Sequence, residues 1–400
     1  MVGVLSGLRI IEASAFIAAP MAGLVLAQLG ADVVRFDNTG GGIDYTRWPL
    51  SPSGRSLYWT GLNKNKKSIG LDLKSPEARE IIRELISDAG IFITNLPERD
   101  WLGYESLSQS RKDLIMVVVQ GNPDGSKAVD YTVNCATGLP YATGPEDHDG
   151  PVNHVLPAWD IATALYVALA VAAAEMHRRE TGEGRLVRVA LSDVAFSTVG
   201  SIGLLSEAEV LGQDRARLGN HLYGAFGRDF SSADGRSFIV VAITSRQWRG
   251  LCDATGLANE FARIAAERGL DFTREADRFA ARGEIAAAIE SWSSRLPMEK
   301  IAAKLDAAGV CWGPYRRLTE ALKEDPRLSL QNPMFAEIDQ PGIGVHRAPG
   351  SPLDFAGAPR TPPSVAPNLG ADTLSLLRER LGMSGPEIED LIARGIVTAG

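Results

Sequence analysis

The chain has 400 residues, with 41 basic against 49 acidic side chains, a net charge of −8 and 45% hydrophobic residues. That length exceeds one average domain and the apolar content fills a large core, so two domains are expected. The negative balance argues against nucleic acid or an anionic membrane as a partner, because both need clustered positive charge. Three widely spaced cysteines (Cys135, Cys252, Cys311) form neither a disulfide framework nor a CxxC pair, which suits a reducing cytoplasm.

The opening MVGVLSGLRIIEASAFIAAP lacks a basic region ahead of an apolar run, so no signal peptide is expected. Residues 8–13 (LRIIEA) read as a strand, and 20–29 as a helix with Pro20 near its first turn. Residues 32–36 (DVVRF) form a second strand. Ser75 is placed to cap a helix reaching Ser87, with Ile81, Ile82, Leu85 and Ile86 on its apolar face. Residues 91–95 and 114–120 are continuously apolar, like strands of a parallel sheet. This alternation of strand and helix predicts a doubly wound α/β fold.

A long helix is expected over 159–179, with Ile161, Leu165, Ala168, Ala172 and Met176 as one buried stripe. His177, Arg178 and Arg179 suit its last turn, and Gly182 and Gly184 end it. Its uncharged stretch, 161–174, is too short to cross a bilayer, so a buried helix is expected. Residues 186–191 return as a strand. Beyond Gly219 the composition changes: a strand at 238–243, then helices rich in Ala, Glu and Arg to about 308, predict a smaller domain. Six prolines within 347–368 predict an extended surface crossing, and helices at 372–381 and 386–394 finish the chain.

No nucleotide-binding fingerprint accompanies the α/β start. The turn after the first strand, ASAFIAAP, has no glycine where GxGxxG would admit a pyrophosphate, and Walker A and GxSxG motifs are missing. The five histidines (His148, His154, His177, His221, His346) show no HxxxH or HExxH spacing, so no metal is expected. His154, in VNHVLPAWD, is a pocket candidate.

Asp160 stands out among Val155, Leu156, Pro157, Ala158, Trp159 and Ile161, at the mouth of an apolar helix. One account makes it the N-cap of that helix. The other makes it a carboxylate in a dry cleft, held ionised by the helix N-terminus and available as a nucleophile. Spacing alone leaves the choice open.

Four stretches, in order, resemble the class III CoA transferases, the formyl-CoA transferase-like family that includes α-methylacyl-CoA racemases. They are LSGLRIIEASAFIAAPMAGLVLAQLGADVVRFD, LNKNKKSIGLDLKSPEAREIIRELISDAGIFITNL, Asp160 followed by HRRETGEGRLVRVALSDVAF, and NLGADTLSLLRERLGMSGPEIEDLIARGIV. The resemblance implies a Rossmann-like large domain, a smaller α+β domain and an interlocked, ring-like homodimer. It places the large domain at 1–218, the small domain at 219–325, and a returning strap with helices at 326–400. It implies that Asp160 is the catalytic nucleophile, that the substrate is a small-molecule CoA thioester, and that no cofactor is needed beyond the CoA carried by the substrate.

Residues 40–49 (GGGIDYTRWP), DYTVNCATGLPYATGP, VNHVLPAWD and GNHLYGAFGRDF (219–230) resemble a subgroup that moves CoA between the two carboxyl ends of mesaconate. An intermolecular transfer between an acyl-CoA and a free acid such as succinate is the neighbouring alternative. The second carboxylate needs a cationic or hydrogen-bonding partner, for which Arg47, His154, Tyr223 and Arg228 are candidates. Backbone N–H groups of Phe16, Ile17 and Ala18 are expected to stabilise an oxyanion. The basic residue common in the family at the Asn38 slot is missing and the loop after Asn95 is short. Arg35, Arg99 or the lysines Lys64, Lys66 and Lys67 are therefore expected on the CoA phosphates. Leu71, Asn95 and Leu96 complete the expected substrate and CoA set. The racemases' histidine falls at Val129, beside Asp130, which speaks against racemisation.

Overall fold

The computed structural model describes residues 3–400 as two compact units. The first comprises the chain up to Thr137 with His154–Ser206 and Pro326–Gly400; the second comprises Gly138–Asn153 and Glu207–Asp325. The second unit thus starts at Glu207, not 219, and also takes a loop from within the stretch expected to be all large domain. Arg217 holds that loop by donating to the carbonyls of Pro140, His148 and Gly150.

In the first unit, strands β1 (Arg9–Ala13), β2 (Asp32–Asn38), β3 (Lys67–Leu71), β4 (Ile91–Thr94), β5 (Ile115–Gln120) and β6 (Leu186–Ala190) are parallel. A short strand, Val397–Thr398, adds antiparallel to β3, giving the order Val397–Thr398, β3, β2, β1, β4, β5, β6. The order reverses between β1 and β4, and in such sheets the crevice at the carboxyl ends of the two flanking strands is the ligand site. Ile11 of β1 pairs with Val34 on one side and Phe92 on the other, so it is flanked by apolar side chains on both neighbouring strands.

Each sheet face carries its own core. On one, Ile81, Ile82, Leu85 and Ile86 of helix Pro76–Ala89 pack with Leu376, Leu377 and Ile388 of the C-terminal helices. Ser75 caps the first of these through Ala78 N–H, as its sequence predicts. On the other face, helix Ala18–Gln28 packs against helix Ala158–Thr181. Close approach is required here: a Cβ on Gly23 would lie 1.7 Å from Glu12 Oε2, so only glycine lets the buried Glu12 carboxylate sit beneath this helix.

Helix Ala158–Thr181 is longer than its uncharged stretch and, at 24 residues with a mean hydropathy of 1.4 over its most apolar window, is long enough to cross a bilayer. It serves as a core helix instead: Ala164, Val167, Ala168, Val171 and Ala174 are buried, and Gly182 in the left-handed conformation closes it. The buried stripe is therefore rotated from the one expected. Leu165 is 52% and Met176 65% exposed. Because this helix is apolar around most of its circumference, periodicity does not select the face the sheet covers.

The expected crossing at 347–368 begins inside a hairpin, Phe335–Gln340 with Gly344–Pro349, and then runs without regular structure. In the second unit, β7 (Phe226–Ser231), β8 (Ser237–Ala242) and β9 (Cys311–Pro314) form an antiparallel sheet. Helices including Ser245–Thr255, Arg282–Ser293 and Met298–Ala307 cover it around Phe226, Phe238, Trp248 and Phe261.

Candidate active site

Asp160 lies in the first turn of helix Ala158–Thr181, whose N-cap position is Pro157. Proline offers no side chain to the orphan N–H groups of that turn. Asp130, at the start of helix Asp130–Asn134, supplies the acceptor from a distance. Its Oδ2 takes the N–H groups of Trp159 (2.7 Å) and Asp160 (3.1 Å), and its Oδ1 lies 2.5 Å from His154 Nε2. Asp130 is only 2% exposed, and three donors offset the burial of its charge. Asp160 is thus not the cap of its own helix, and no hydrogen bond to its carboxylate occurs among the described residues.

Burial, and then the charge of Asp130, push the Asp160 carboxyl up to about 6, while Arg47 pulls it down. At pH 7.5 a group with that pKa is still roughly 97% ionised. Its basicity is raised with almost no loss of the reactive form, which is what a carboxylate nucleophile needs.

Arg47 follows the short turn Ile43–Thr46. Its guanidinium lies 5.1 Å from the Phe16 ring centroid and 5.0 Å from that of Tyr58, with Asp44 Oδ1 at 3.8 Å. Phe16 sits at φ +66, a left-handed conformation unfavourable for a bulky residue. Two side chains hold it there. Asp44 Oδ2 accepts Phe16 N–H at 2.6 Å; Asn95 accepts Ala15 N–H at 2.9 Å and donates to Ala15 O at 2.7 Å. The Asn95 contact bridges the carboxyl ends of β1 and β4, the point where strand order reverses.

Four predicted residues, Phe16, Arg47, His154 and Asp160, therefore share one neighbourhood with Asn95 beneath it. Others are used differently. The Phe16 N–H is consumed by Asp44, so of the expected oxyanion donors only Ile17 and Ala18, at the start of helix Ala18–Gln28, keep theirs outside the helix ladder. Arg35, expected on a phosphate, is 2% exposed: it pairs with Asp37 at 2.7 Å and Glu12 at 3.5 Å and donates to Ser14 O at 2.8 Å. Lys66 is buried against Glu12 at 2.9 Å, and Lys64 donates to Gly61 O. Burial pushes both amines down to about 8.

Lys67 pairs with Asp32 at 2.9 Å; both residues begin their strands, at the edge of the sheet away from the strands' carboxyl ends. Leu71 is core. Leu96 packs at the core margin, its N–H on Thr94 Oγ1, and Arg99 stays exposed in the following loop. Tyr223 and Arg228 belong to the second unit. There Tyr223 donates to Glu207 beneath the Arg215 guanidinium, and Arg228 lies 3.9 Å from Asp229.

Sequence reasoning missed Asp130, Asp44 and Tyr58 as members of the site. Tyr58, on helix Leu57–Leu62, has a buried hydroxyl without a hydrogen-bond partner, and burial pushes its phenol well above the usual tyrosine range. Local spacing does not mark them: the N–H groups that Asp130 and Asp44 accept lie 28 to 30 positions away, and Tyr58 meets Arg47 from 11 positions away.

Residues 5–373 match the family model described as CoA-transferase family III. The chain is 50% identical to the 2-methylfumaryl-CoA isomerase of Chloroflexus aurantiacus, over 99% of this chain and 98% of that one. It is 29% identical to the succinyl-CoA:mesaconate CoA-transferase of Haloarcula marismortui, over 94% and 96%. Among solved structures, a CaiB/BaiF family protein from Brucella suis superposes with a TM-score of 0.79 at 25% identity, covering 95% of this chain and all of that one. A hypothetical protein from Mycobacterium tuberculosis gives 0.74 at 22% identity, covering 94% and 99%, and shares the fold.

The raised Asp160 pKa has a stability consequence. The unfolded chain releases this proton near 3.8 and the folded chain near 6, so ionisation opposes folding, and the penalty is fully present above pH 6. Replacing Asp160→Asn is expected to stabilise the protein by up to about 3 kcal/mol at pH 8, shrinking to about 1 kcal/mol at pH 4.5. Urea melts of both proteins at the two pH values measure this. Equal effects at both, or destabilisation at pH 8, contradict the assignment.

Proposed function

The chain belongs to CoA-transferase family III, and from that premise we propose that it is a CoA transferase acting as an isomerase. It moves CoA between the two carboxyl ends of mesaconate, converting 2-methylfumaryl-CoA to 3-methylfumaryl-CoA. The observation that carries this is the 50% identity, essentially end to end, to a protein named for that reaction.

The mechanism runs through Asp160. Its carboxylate attacks the thioester carbonyl, the C–S bond breaks, and CoA thiolate leaves behind an aspartyl–mesaconyl anhydride. The thiolate attacks the aspartyl carbonyl, giving an enzyme-bound thioester and free mesaconate. Mesaconate turns, its other carboxylate attacks that thioester, and thiolate is released again. Attack of the thiolate on the mesaconyl carbonyl of the new anhydride forms the isomeric thioester and restores the carboxylate. No net proton is exchanged, so Asp160 acts as an ion throughout. The free N–H groups of Ile17 and Ala18, at the positive end of their helix, are suited to the oxyanion of the tetrahedral states. CoA lies over the carboxyl ends of β1 and β4, with exposed Arg99 as a phosphate contact. A diacid held in place is at an effective concentration far above that of any bulk acid, which favours internal return over exchange.

Leu165, Tyr166, Leu169 and Met176 of helix Ala158–Thr181 are all exposed, and clustered apolar exposure of this kind marks a protein–protein contact. A second copy of the chain is its occupant in a homodimer. Sedimentation at working concentration is expected to give twice the chain mass; a monomer mass contradicts it.

For the reaction itself, purified protein is incubated with 2-methylfumaryl-CoA, with and without labelled free mesaconate, and the thioester isomers are separated by chromatography. The 3-methylfumaryl isomer with little label, and none from Asp160→Ala, is expected. Turnover only on adding an acid, or heavy label uptake, makes the enzyme intermolecular.

A further inference from the structure

We propose that Arg47 and Tyr58 form a clamp that holds the free carboxylate of the acyl group while the other end reacts at Asp160. This deepens the function proposed above and rests on it.

Three observations converge. Arg47 is a cation set on aromatic faces: its guanidinium lies over the rings of Phe16 and Tyr58, 5.1 and 5.0 Å from their centroids, so both rings hold it in place. Its side chain is 43% exposed, Asp44 at 3.8 Å is its ionic partner, and among the described residues no side-chain hydrogen bond engages it. A guanidinium oriented in this way presents a fork of N–H donors that fits the two oxygens of a carboxylate.

The second observation is the Tyr58 hydroxyl, which is buried and without a partner. Buried donors are rarely left unmade, because such a donor has lost its hydration with nothing in its place. The charged side chains acting on this phenol are Arg47, Asp44 and Asp160, which sets it beside both the cation and the carboxylate proposed to react. The third is Asp44, whose Oδ2 is committed to the Phe16 N–H while its Oδ1 faces Arg47. One carboxylate thus fixes both the strained Phe16 and the cation stacked upon it.

One cation with one neutral donor matches one carboxylate. Whichever end of mesaconate carries CoA, the opposite end is a free carboxylate, so the clamp serves both isomers alike. It also keeps a charge partner on the diacid once mesaconate is released from the anhydride, which favours turning in place over escape. A monocarboxylic acyl group would leave both donors unpaired in a partly dry site, so the clamp selects dicarboxylic thioesters.

The test uses Arg47→Met, Arg47→Lys and Tyr58→Phe at pH 8, where Asp160 stays ionised. Three quantities are read: kcat/KM with 2-methylfumaryl-CoA, uptake of label from free mesaconate, and free-CoA affinity by calorimetry as a control for folding. Arg47→Met is expected to lose about 100-fold or more in kcat/KM and Arg47→Lys to recover part of it. Tyr58→Phe is expected to lose about tenfold and to take up more label. CoA affinity should stay within about twofold in all three, because the clamp touches only the acyl group. The clamp is overturned if Arg47→Met binds CoA normally and keeps kcat/KM within about threefold of the parent. If Arg47→Met loses CoA binding, Tyr58→Phe decides: unchanged kcat/KM and label uptake overturn the clamp. A parent protein that leaves 2-methylfumaryl-CoA unchanged overturns the function itself, and the clamp with it.

Discussion

The reactivity of this site depends on one buried carboxylate that does no chemistry. A helix with proline at its N-cap position lacks the side chain that usually satisfies the orphan N–H groups of its first turn. Asp130 takes the N–H groups of Trp159 and Asp160 and adds His154 as a third partner. Asp160 is thereby relieved of capping its own helix. Removing Asp130 would leave two N–H groups unmade and invite Asp160 to fold back onto them, at a cost of about 1–2 kcal/mol for the lost cap and of nucleophile geometry besides. The same charge, beside a half-buried Asp160, helps raise its basicity.

A second buried arrangement supports the loop on the other side of the site. Glu12, Arg35, Asp37 and Lys66 interlock across β1, β2 and the residue that precedes β3, and Arg35 reaches from them to Ser14 O, two residues before the strained Phe16. Charges so deeply buried are tolerated only when paired and hydrogen-bonded. The arrangement therefore tolerates little movement, and it consumes cations that composition alone would assign to phosphate. The site stands on two electrostatic supports, one under the proposed nucleophile and one under the loop that carries Phe16.

Much of the architecture is legible from local pattern. The strands at 9–13, 32–38, 91–94 and 115–120, the Ser75 cap and the long helix follow from apolar runs and capping chemistry. The edge strand Val397–Thr398 and the hairpin at 335–349 escape that pattern, because two or six polar-rich residues carry too little signal. In the site, Asp160 is conspicuous as a lone charge in an apolar stretch, and the family resemblance implies its role as nucleophile. Asp130, Asp44 and Tyr58 look like ordinary polar residues, since the N–H groups that the two aspartates accept lie 28 to 30 positions away. Arg35 and Lys66 misled for the opposite reason: they read as surface cations, and only the folded sheet shows them facing Glu12 and Asp37. The rotated stripe of the long helix has the same origin, a helix apolar on more faces than the sheet covers.

The central claim is that the Asp160 carboxylate itself carries CoA during turnover. The direct measurement is to quench the protein during reaction with 2-methylfumaryl-CoA using hydroxylamine, then locate the modified residue by peptide mass spectrometry. An activated aspartyl group is converted to its hydroxamate, so a mass gain of about 15 Da at Asp160, dependent on substrate, is the predicted result. Robust isomerisation with Asp160 unmodified, or with the hydroxamate on another carboxylate, would contradict the account.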